Sequence, residues 1–263
     1  MRLDPAAVLC DLDGVVWLAH HPIPGSVEAI ADLRRSGRRV VFVTNNSSAR
    51  IADQEAALAS VGIPATGDVL TSAVAAAALV EPGERVLACG GVGVVEAITA
   101  RGAVAVAGDD PSGEQVDAVV VGLHRQFDYE RMRIAATAVR RGARFIATNM
   151  DPTFPTPNGP VPGAGAIVAA VSTVAGRSPV IAGKPHPPMA TAVGLLLDGI
   201  PPERLLVVGD RLDTDGAFAI ALGCPFALVR TGVTAPGVPV DTPLAADQPD
   251  LAAVVDAILQ AGG

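Results

Sequence analysis

Short apolar runs without polar alternation, each followed by a turn and a helix-like stretch, recur along almost the whole 263-residue chain. Ala6-Ala7-Val8-Leu9-Cys10 is the first, and Arg39-Val40-Val41-Phe42-Val43 is the second. A run with no polar face suits a strand covered on both sides. Strands separated by helices with short connections imply parallel sheets joined by right-handed crossovers. The helical stretches carry their own stops. Ser26 to Ser36 puts Val27, Ile30, Ala31 and Leu33 on one face before Gly37, and Ser48 to Val61 ends at Gly62. The expected class is α/β, with a Rossmann-like parallel sheet.

The pattern restarts near Glu81. Arg85-Val86-Leu87-Ala88-Cys89 leads into a glycine-rich turn and a helix, and further strands are expected at Ala103–Ala107, Ala118–Val121 and Arg144–Ala147. A Pro/Gly-rich loop without regular structure then runs from Asp151 to Gly165, ahead of a helix over Ala166–Ala175 and a strand-like Pro179–Ala182. The final block reads helix His186–Leu197, strand Leu205–Val208, helix Thr214–Leu222, strand Pro225–Val229 and helix Asp250–Leu259. The middle block is large enough to be an α/β unit of its own. The expected organisation is one core split between residues 1–80 and 183–263, with a second α/β domain inserted over 81–182.

Charge and composition narrow the partners. A net charge of −8 opposes a nucleic-acid phosphate backbone, and an aromatic content of 3% leaves no base-stacking platform. Half the residues are hydrophobic and mean hydropathy is +0.43, yet no stretch approaches the ~18 uninterrupted apolar residues of a membrane span. Cys10, Cys89 and Cys224 lie far apart in apolar sequence without metal-ligand spacing. That usage, with no basic-then-apolar export pattern, leads us to expect reduced thiols in the cytoplasm.

Chemistry concentrates where the runs end. Asp11 and Asp13 follow the first strand, and Gly14 allows a sharp turn there. Two acids so placed are costly to hold together unless a cation or a reacting group uses them. Thr44-Asn45-Asn46 follows the second strand, Lys184 sits in a Gly-Lys-Pro turn, and Gly209-Asp210 through Asp215 follows the strand Leu205–Val208. In an open parallel sheet the carboxyl ends of the strands share one rim, where ligand crevices form. Each element has a plainer reading when taken singly: a turn with an aspartate cap, a helix cap, a solvated lysine. Asp213 is read as a surface residue and Asp215 as a group that orients its neighbours.

The order of these four elements, with a large insertion between the second and third, resembles the haloacid dehalogenase superfamily of phosphatases. Asp11-Leu12-Asp13-Gly14-Val15 is similar to its first motif, Thr44 to its second, Lys184 to its third, and Gly209-Asp210 through Asp215 to its fourth. Val43-Thr44-Asn45-Asn46-Ser47, Ala147-Thr148-Asn149-Met150-Asp151-Pro152 and Ala182-Gly183-Lys184-Pro185 resemble the large-cap subfamily. That subfamily holds 4-nitrophenylphosphatases, phosphoglycolate and glycerol-3-phosphate phosphatases and the NagD type. The likeness covers essentially the whole chain; Gly216, where relatives carry an aliphatic residue, is a small departure.

The resemblance implies a Mg²⁺-dependent phosphatase of small phosphorylated metabolites. It makes Asp11 the nucleophile and Asp13 the acid/base. The Asp11 and Asp210 carboxylates and the Asp13 backbone carbonyl become metal ligands, with Asp215 in support. Thr44, the Asn45 amide and Lys184 hold the phosphoryl group, helped by the dipole of the helix that starts at Ser48. The Asn149–Pro152 turn and the loop to Gly165 resemble the substrate-specificity loop, which points to Asn149 and Asp151 as substrate-binding residues. The wording resembles that of glycerol-3-phosphate phosphatases, and the family admits a homodimer through the caps.

Three features stand outside that picture. Gly90-Gly91-Val92-Gly93 opens a helix after a strand, and Asp109 lies about twenty residues on, as in a dinucleotide fingerprint. Glu96 in place of the third glycine opposes that reading. Trp17, His20 and His21 follow the first acidic turn and are candidates for a pocket entrance, or for plain surface. His186 is read as the cap of the helix after Lys184.

Overall fold

The computed structural model describes residues 3–154, 156, 158–197, 199–240 and 243–262. Pro155 and Pro157, within the loop expected from Asp151 to Gly165, lie outside the described residues.

The first block runs β1 (Ala7–Cys10), a small antiparallel flap of β2 (Trp17–Leu18) and β3 (His21–Pro22), and α1 (Ser26–Arg35). It continues with β4 (Arg39–Thr44), α2 (Ile51–Ser60), β5 (Val69–Thr71) and α3 (Ser72–Ala77). The middle block holds β6 (Arg85–Cys89), α4 (Val92–Ala100), β7 (Val104–Ala107), β8 (Ala118–Val121), α5 (Tyr129–Arg140) and β9 (Arg144–Ala147). A short antiparallel pair follows, β10 (Thr153–Phe154) with β11 (Val161–Pro162), then α6 (Ala164–Ala175) and β12 (Val180–Ile181). The last block is α7 (Pro187–Leu196), β13 (Leu205–Gly209), α8 (Ala217–Leu222), β14 (Phe226–Val229), β15 (Ala246–Gln248) and α9 (Leu251–Gly262).

Two fully parallel sheets result. One has the order β15-β14-β13-β1-β4-β5 and the other β12-β9-β8-β6-β7. The register matters for the site. Cys10 lies opposite both Phe42 of β4 and Val208 of β13, so the residues that follow these three strands emerge on one rim. Leu33 and Val255 belong to a core on one face of the first sheet, and Ile134 and Val168 to a core on one face of the second. A third core is shared: Leu9 and Val41 of one sheet join Val86 and Val120 of the other around the alanine-rich α3. Small side chains let the two sheets approach there.

The differences from expectation have local causes. The loop after Asp151 is not structureless, because Thr153 and Phe154 pair with Val161 and Pro162. Helix α2 starts at Ile51 rather than Ser48, since the Asn46 side chain accepts from both the amide and the hydroxyl of Ser48 and ends the chain's freedom there. Helix α5 was not anticipated, although Asp128 caps the Arg131 amide at 2.9 Å and Ile134, Ala135, Ala138 and Val139 form its buried face. The segment expected as helix from Thr214 begins as a π-helical turn over Leu212–Gly216, in which the amides of Asp215 and Gly216 share the Arg211 carbonyl. His186 occupies the cap position of α7 but makes no side-chain capping bond. Cys10 and Cys89 are buried as expected, whereas Cys224 is only half-buried.

Candidate active site

Three carboxylates and one ammonium meet at the rim of the first sheet. The Asp11 amide donates to Val208 (2.9 Å), which continues the strand by one residue and aims the carboxylate off its end. Lys184 Nζ donates to Asp11 Oδ1 at 2.8 Å and to Asp215 Oδ1 at 2.7 Å, and the lysine is only 4% exposed. The π-helical turn sends the Asp215 side chain back beneath β13, where its other oxygen accepts the Arg211 amide at 3.2 Å. Asp210 accepts the Val233 amide through Oδ2, while its carbonyl takes the Thr234 amide at 3.1 Å. Gly14 turns the chain at φ +90°, and a Cβ there would stand 2.6 Å from Asp210 Oδ2.

Charge does not balance in this cluster. Burial raises the carboxyls of Asp11, Asp210 and Asp215 above their ordinary range, and repulsion adds to it, from Asp13 on Asp11, from Asp215 and Asp11 on Asp210, and from Asp11 on Asp215. Asp210 is pushed up to about 8 and Asp215 to about 6, even with Lys184 opposing the rise. Burial alone would lower Lys184; Asp11 and Asp215 outweigh it and hold the ammonium raised. Asp13, further along the turn, is pushed up to about 6, mainly by burial.

Asp11, Asp210 and Asp215 each offer an oxygen within 4.8 Å of the others. Asp210 Oδ1 is buried without a hydrogen-bond partner among the described residues. An all-oxygen donor set with surplus negative charge and an orphaned carboxylate oxygen fits a hard divalent cation.

The surplus charge makes the stability of the cation-free protein depend on pH. Carboxyls whose folded pKa is raised contribute stability below about pH 4 and lose it as pH climbs through the folded values, here about 6 to 8. Surface carboxyls held low, such as Asp110, Asp128 and Asp247, stay ionised in that window. His124 and His186, which burial holds low, act in the opposite sense only up to the ordinary histidine range. Thermal melts with EDTA should therefore give a lower Tm at pH 8 than at pH 5, and added Mg²⁺ should raise Tm more at pH 8. Equal Tm values at both pH values would contradict the surplus-charge reading.

Facing the cluster is a cavity of about 260 Å³. Eight of the nine residues singled out from sequence line it: Asp11, Asp13, Thr44, Asn45, Asn149, Asp151, Lys184 and Asp210. Asp215 lies beneath them. The polar ends of Asn45 and Asn149 are already committed. Asn45 Nδ2 donates to Asp151 (3.0 Å) and to the Lys184 carbonyl (3.2 Å), and its Oδ1 accepts the Lys184 amide (2.9 Å). Asn149 donates to the Asn45 carbonyl (2.7 Å) and accepts the Asp151 amide (3.1 Å). These two asparagines stitch the rims of the two sheets together around Lys184. Thr44 Oγ1 accepts the Asn46 amide at 3.0 Å, which closes its turn.

Of the aromatic trio after the acidic turn, only His20 reaches the cavity. Trp17 is buried and holds His20 edge-on at 4.7 Å between ring centroids, while His21 is exposed. Arg125, Phe154 and Arg211 also line the cavity and were not anticipated. The rim rule could have found Arg125: β8 ends at Val121 and β9 at Ala147, so Arg125 and Asn149 follow adjacent strand ends of the second sheet just as Asp11 and Asp210 do in the first.

The glycine-rich turn after β6 has a packing function that overturns the dinucleotide alternative. A Cβ at Gly91 would lie 2.5 Å from the Ser48 carbonyl oxygen, and one at Gly93 would lie 2.1 Å from that of Ala49. The Gly93 amide already donates to Ser48 (3.2 Å), so the start of α4 is covered by protein where a pyrophosphate would sit. Glu96 accepts the Ile51 amide at 3.0 Å and so caps α2 from α4. The start of α2 thus faces Glu96, not the cavity, which corrects the expected dipole contribution to phosphoryl binding. Gly93→Ala is expected to lower stability by about 1–3 kcal/mol, because the added methyl meets the Ala49 backbone, which cannot rotate away. A denaturant melt with an unchanged midpoint would contradict this packing role.

The two parallel sheets and the rim of acids around a buried lysine define a Rossmann-like enzyme with an aspartate–lysine centre. Sequence profiles agree. That of the haloacid dehalogenase-like hydrolases matches residues 8–104, and the HAD-hydrolase-like profile matches residues 181–261. The chain is 42% identical over 232 residues to a D-glycerol 3-phosphate phosphatase of Mycobacterium tuberculosis, a match covering 86% of the chain but 63% of that relative's length. It is 39% identical to an acid sugar phosphatase of Staphylococcus saprophyticus, with 87% of each covered. A crystal structure of a glycerol phosphate phosphatase from M. tuberculosis with magnesium superposes at a TM-score of 0.83, with 37% identity over 94% of this chain and 75% of that one. The chain belongs to the haloacid dehalogenase-like hydrolases.

Proposed function

We propose that the chain is a Mg²⁺-dependent phosphatase of small phosphomonoesters, with Asp11 as nucleophile. The observation that carries this reading is the Asp11–Lys184–Asp215–Asp210 cluster opening onto a cavity closed by the second sheet. The magnesium-bound relative and two relatives named as phosphatases support it.

The first half-reaction forms a bond from an Asp11 carboxylate oxygen to phosphorus and breaks the ester P–O bond. Lys184 holds Asp11 Oδ1, which leaves Oδ2 for attack. Asp13 donates its proton to the departing oxygen; its raised pKa keeps that proton available near neutrality. In the second half-reaction the Asp13 carboxylate takes a proton from water, the water oxygen bonds to phosphorus, and the bond to Asp11 breaks to release inorganic phosphate. The Asp11 and Asp210 carboxylates and the Asp13 carbonyl would hold Mg²⁺, which supplies positive charge against the phosphoryl oxygens. Asp215 anchors Lys184 from below, and Thr44 and the Asn45 backbone amide bound the phosphoryl pocket. Asn149 and Asp151 border the leaving-group side.

Residues 1–80 and 183–263 act as the core in this account, and 81–182 as an inserted cap that excludes bulk water and polymers. A cavity of about 260 Å³ suits a small metabolite such as glycerol 3-phosphate. Among the described residues no helix is long and apolar enough to cross a membrane. The scattered, unpaired cysteines support a cytoplasmic setting, and exposed Val92 and Val95 on α4 support pairing of two copies through their caps. Phosphate release from a metabolite panel, with Mg²⁺ and with EDTA, tests the class: release from no ester, or equal release in EDTA, would refute it.

A further inference from the structure

We infer that Arg125 is a specificity-determining residue, which makes this site favour phosphomonoesters whose leaving group carries a second negative charge, such as a carboxylate. The inference rests on the phosphatase reading and adds the substrate class to it.

The cavity holds three lysine or arginine side chains, and two of them are already matched. Lys184 lies between Asp11 and Asp215. Arg211 donates to both oxygens of Asp213, at 3.1 and 2.8 Å. Arg125 makes no ion pair with any of the described residues, yet it lines the same cavity. Its guanidinium carbon lies 6.0 Å from the ring centroid of Phe154, which also lines the cavity. An aromatic face holds a guanidinium in place without neutralising it. The donor fork therefore remains available for a planar anion.

Position favours the leaving group over the phosphoryl group. Arg125 follows β8 of the second sheet, whereas Asp11 and Asp210 follow strands of the first and Thr44 ends one. A substrate with phosphorus at Asp11 extends its remaining atoms toward the second sheet. There Leu123, Phe154 and Ala164 supply an apolar wall, against which a charge pair is screened less than in water. Asp151 is the acid of that wall, but its Oδ2 is held by Asn45, and burial raises its carboxyl.

Glycerol 3-phosphate and 3-phosphoglycerate form a matched pair, alike except that a hydroxymethyl group in one is a carboxylate in the other. With Mg²⁺ present, kcat/KM should be about tenfold higher for 3-phosphoglycerate, the size of one charge-assisted contact. In Arg125→Met, which keeps an aliphatic stem over Phe154, the ratio should fall to about one, through a rise in KM for the acid. A wild-type ratio of one or less, or a ratio unchanged in Arg125→Met, would overturn the inference while hydrolysis of either ester keeps the phosphatase reading intact. No hydrolysis of these esters or of 4-nitrophenyl phosphate would overturn both.

Discussion

Asp11→Asn should lower kcat for every phosphomonoester by about 10⁴-fold or more, the scale of losing a nucleophile that acts as part of a unit. The substitution keeps the side chain's shape, and Lys184 retains Asp215 as a partner, so the fold should persist. The sign of the stability change is itself informative. Removing one carboxylate from a buried cluster with surplus negative charge relieves repulsion on Asp210 and Asp215. In EDTA at pH 8 the variant should melt no lower than wild type, while Mg²⁺ should stabilise it less. Steady-state rates and melting curves with and without Mg²⁺ check both halves. Residual activity near wild type would mean that another group attacks phosphorus.

Lys184→Met should damage folding and activity together. It leaves Asp11 and Asp215 buried without their shared cation, and breaking a buried pair in this way costs about 3–5 kcal/mol. For a chain of this size that corresponds to a Tm loss of roughly 10 °C. The loss should be larger at pH 8 than at pH 5. Without the ammonium both carboxyls rise further, so their stability contribution vanishes as pH climbs through the higher folded values. Adding Asp215→Asn to Lys184→Met should recover part of the Tm but none of the activity, which separates the charge balance from the chemistry. A Tm unchanged in Lys184→Met would show that the cluster is more solvated than its burial indicates.

Much of the site is legible in the sequence because each core motif directly follows a buried strand. A run such as Ala7–Cys10 has no polar face to misread, and the parallel register then brings Asp11, Thr44 and Asp210 to one rim without further information. The boundaries that slipped were decided by side chains from distant segments. Helix α2 gives up three residues to the Asn46 turn and to Glu96, 45 positions away in sequence. The π-helical turn before α8 carries Asp215 to Lys184, a long-range contact invisible in the local pattern around Gly216. Asn45 illustrates the limit most clearly. Its place in the motif was readable, but not that its side chain joins Asp151 to both backbone groups of Lys184. Arg125 is hidden for a different reason: it stands four residues beyond the end of β8, in a loop with no motif around it.

Asp11 as the group that bonds to phosphorus is the central claim about this site. The direct test is to quench the enzyme during turnover of 4-nitrophenyl phosphate, whose leaving group needs no proton, and to weigh the peptide that carries Asp11. A phosphoryl adduct labile to hydroxylamine should appear on that peptide, accumulate in Asp13→Asn, and be absent in Asp11→Asn. Continued phosphate release by Asp11→Asn, or an adduct on another peptide, would contradict the account.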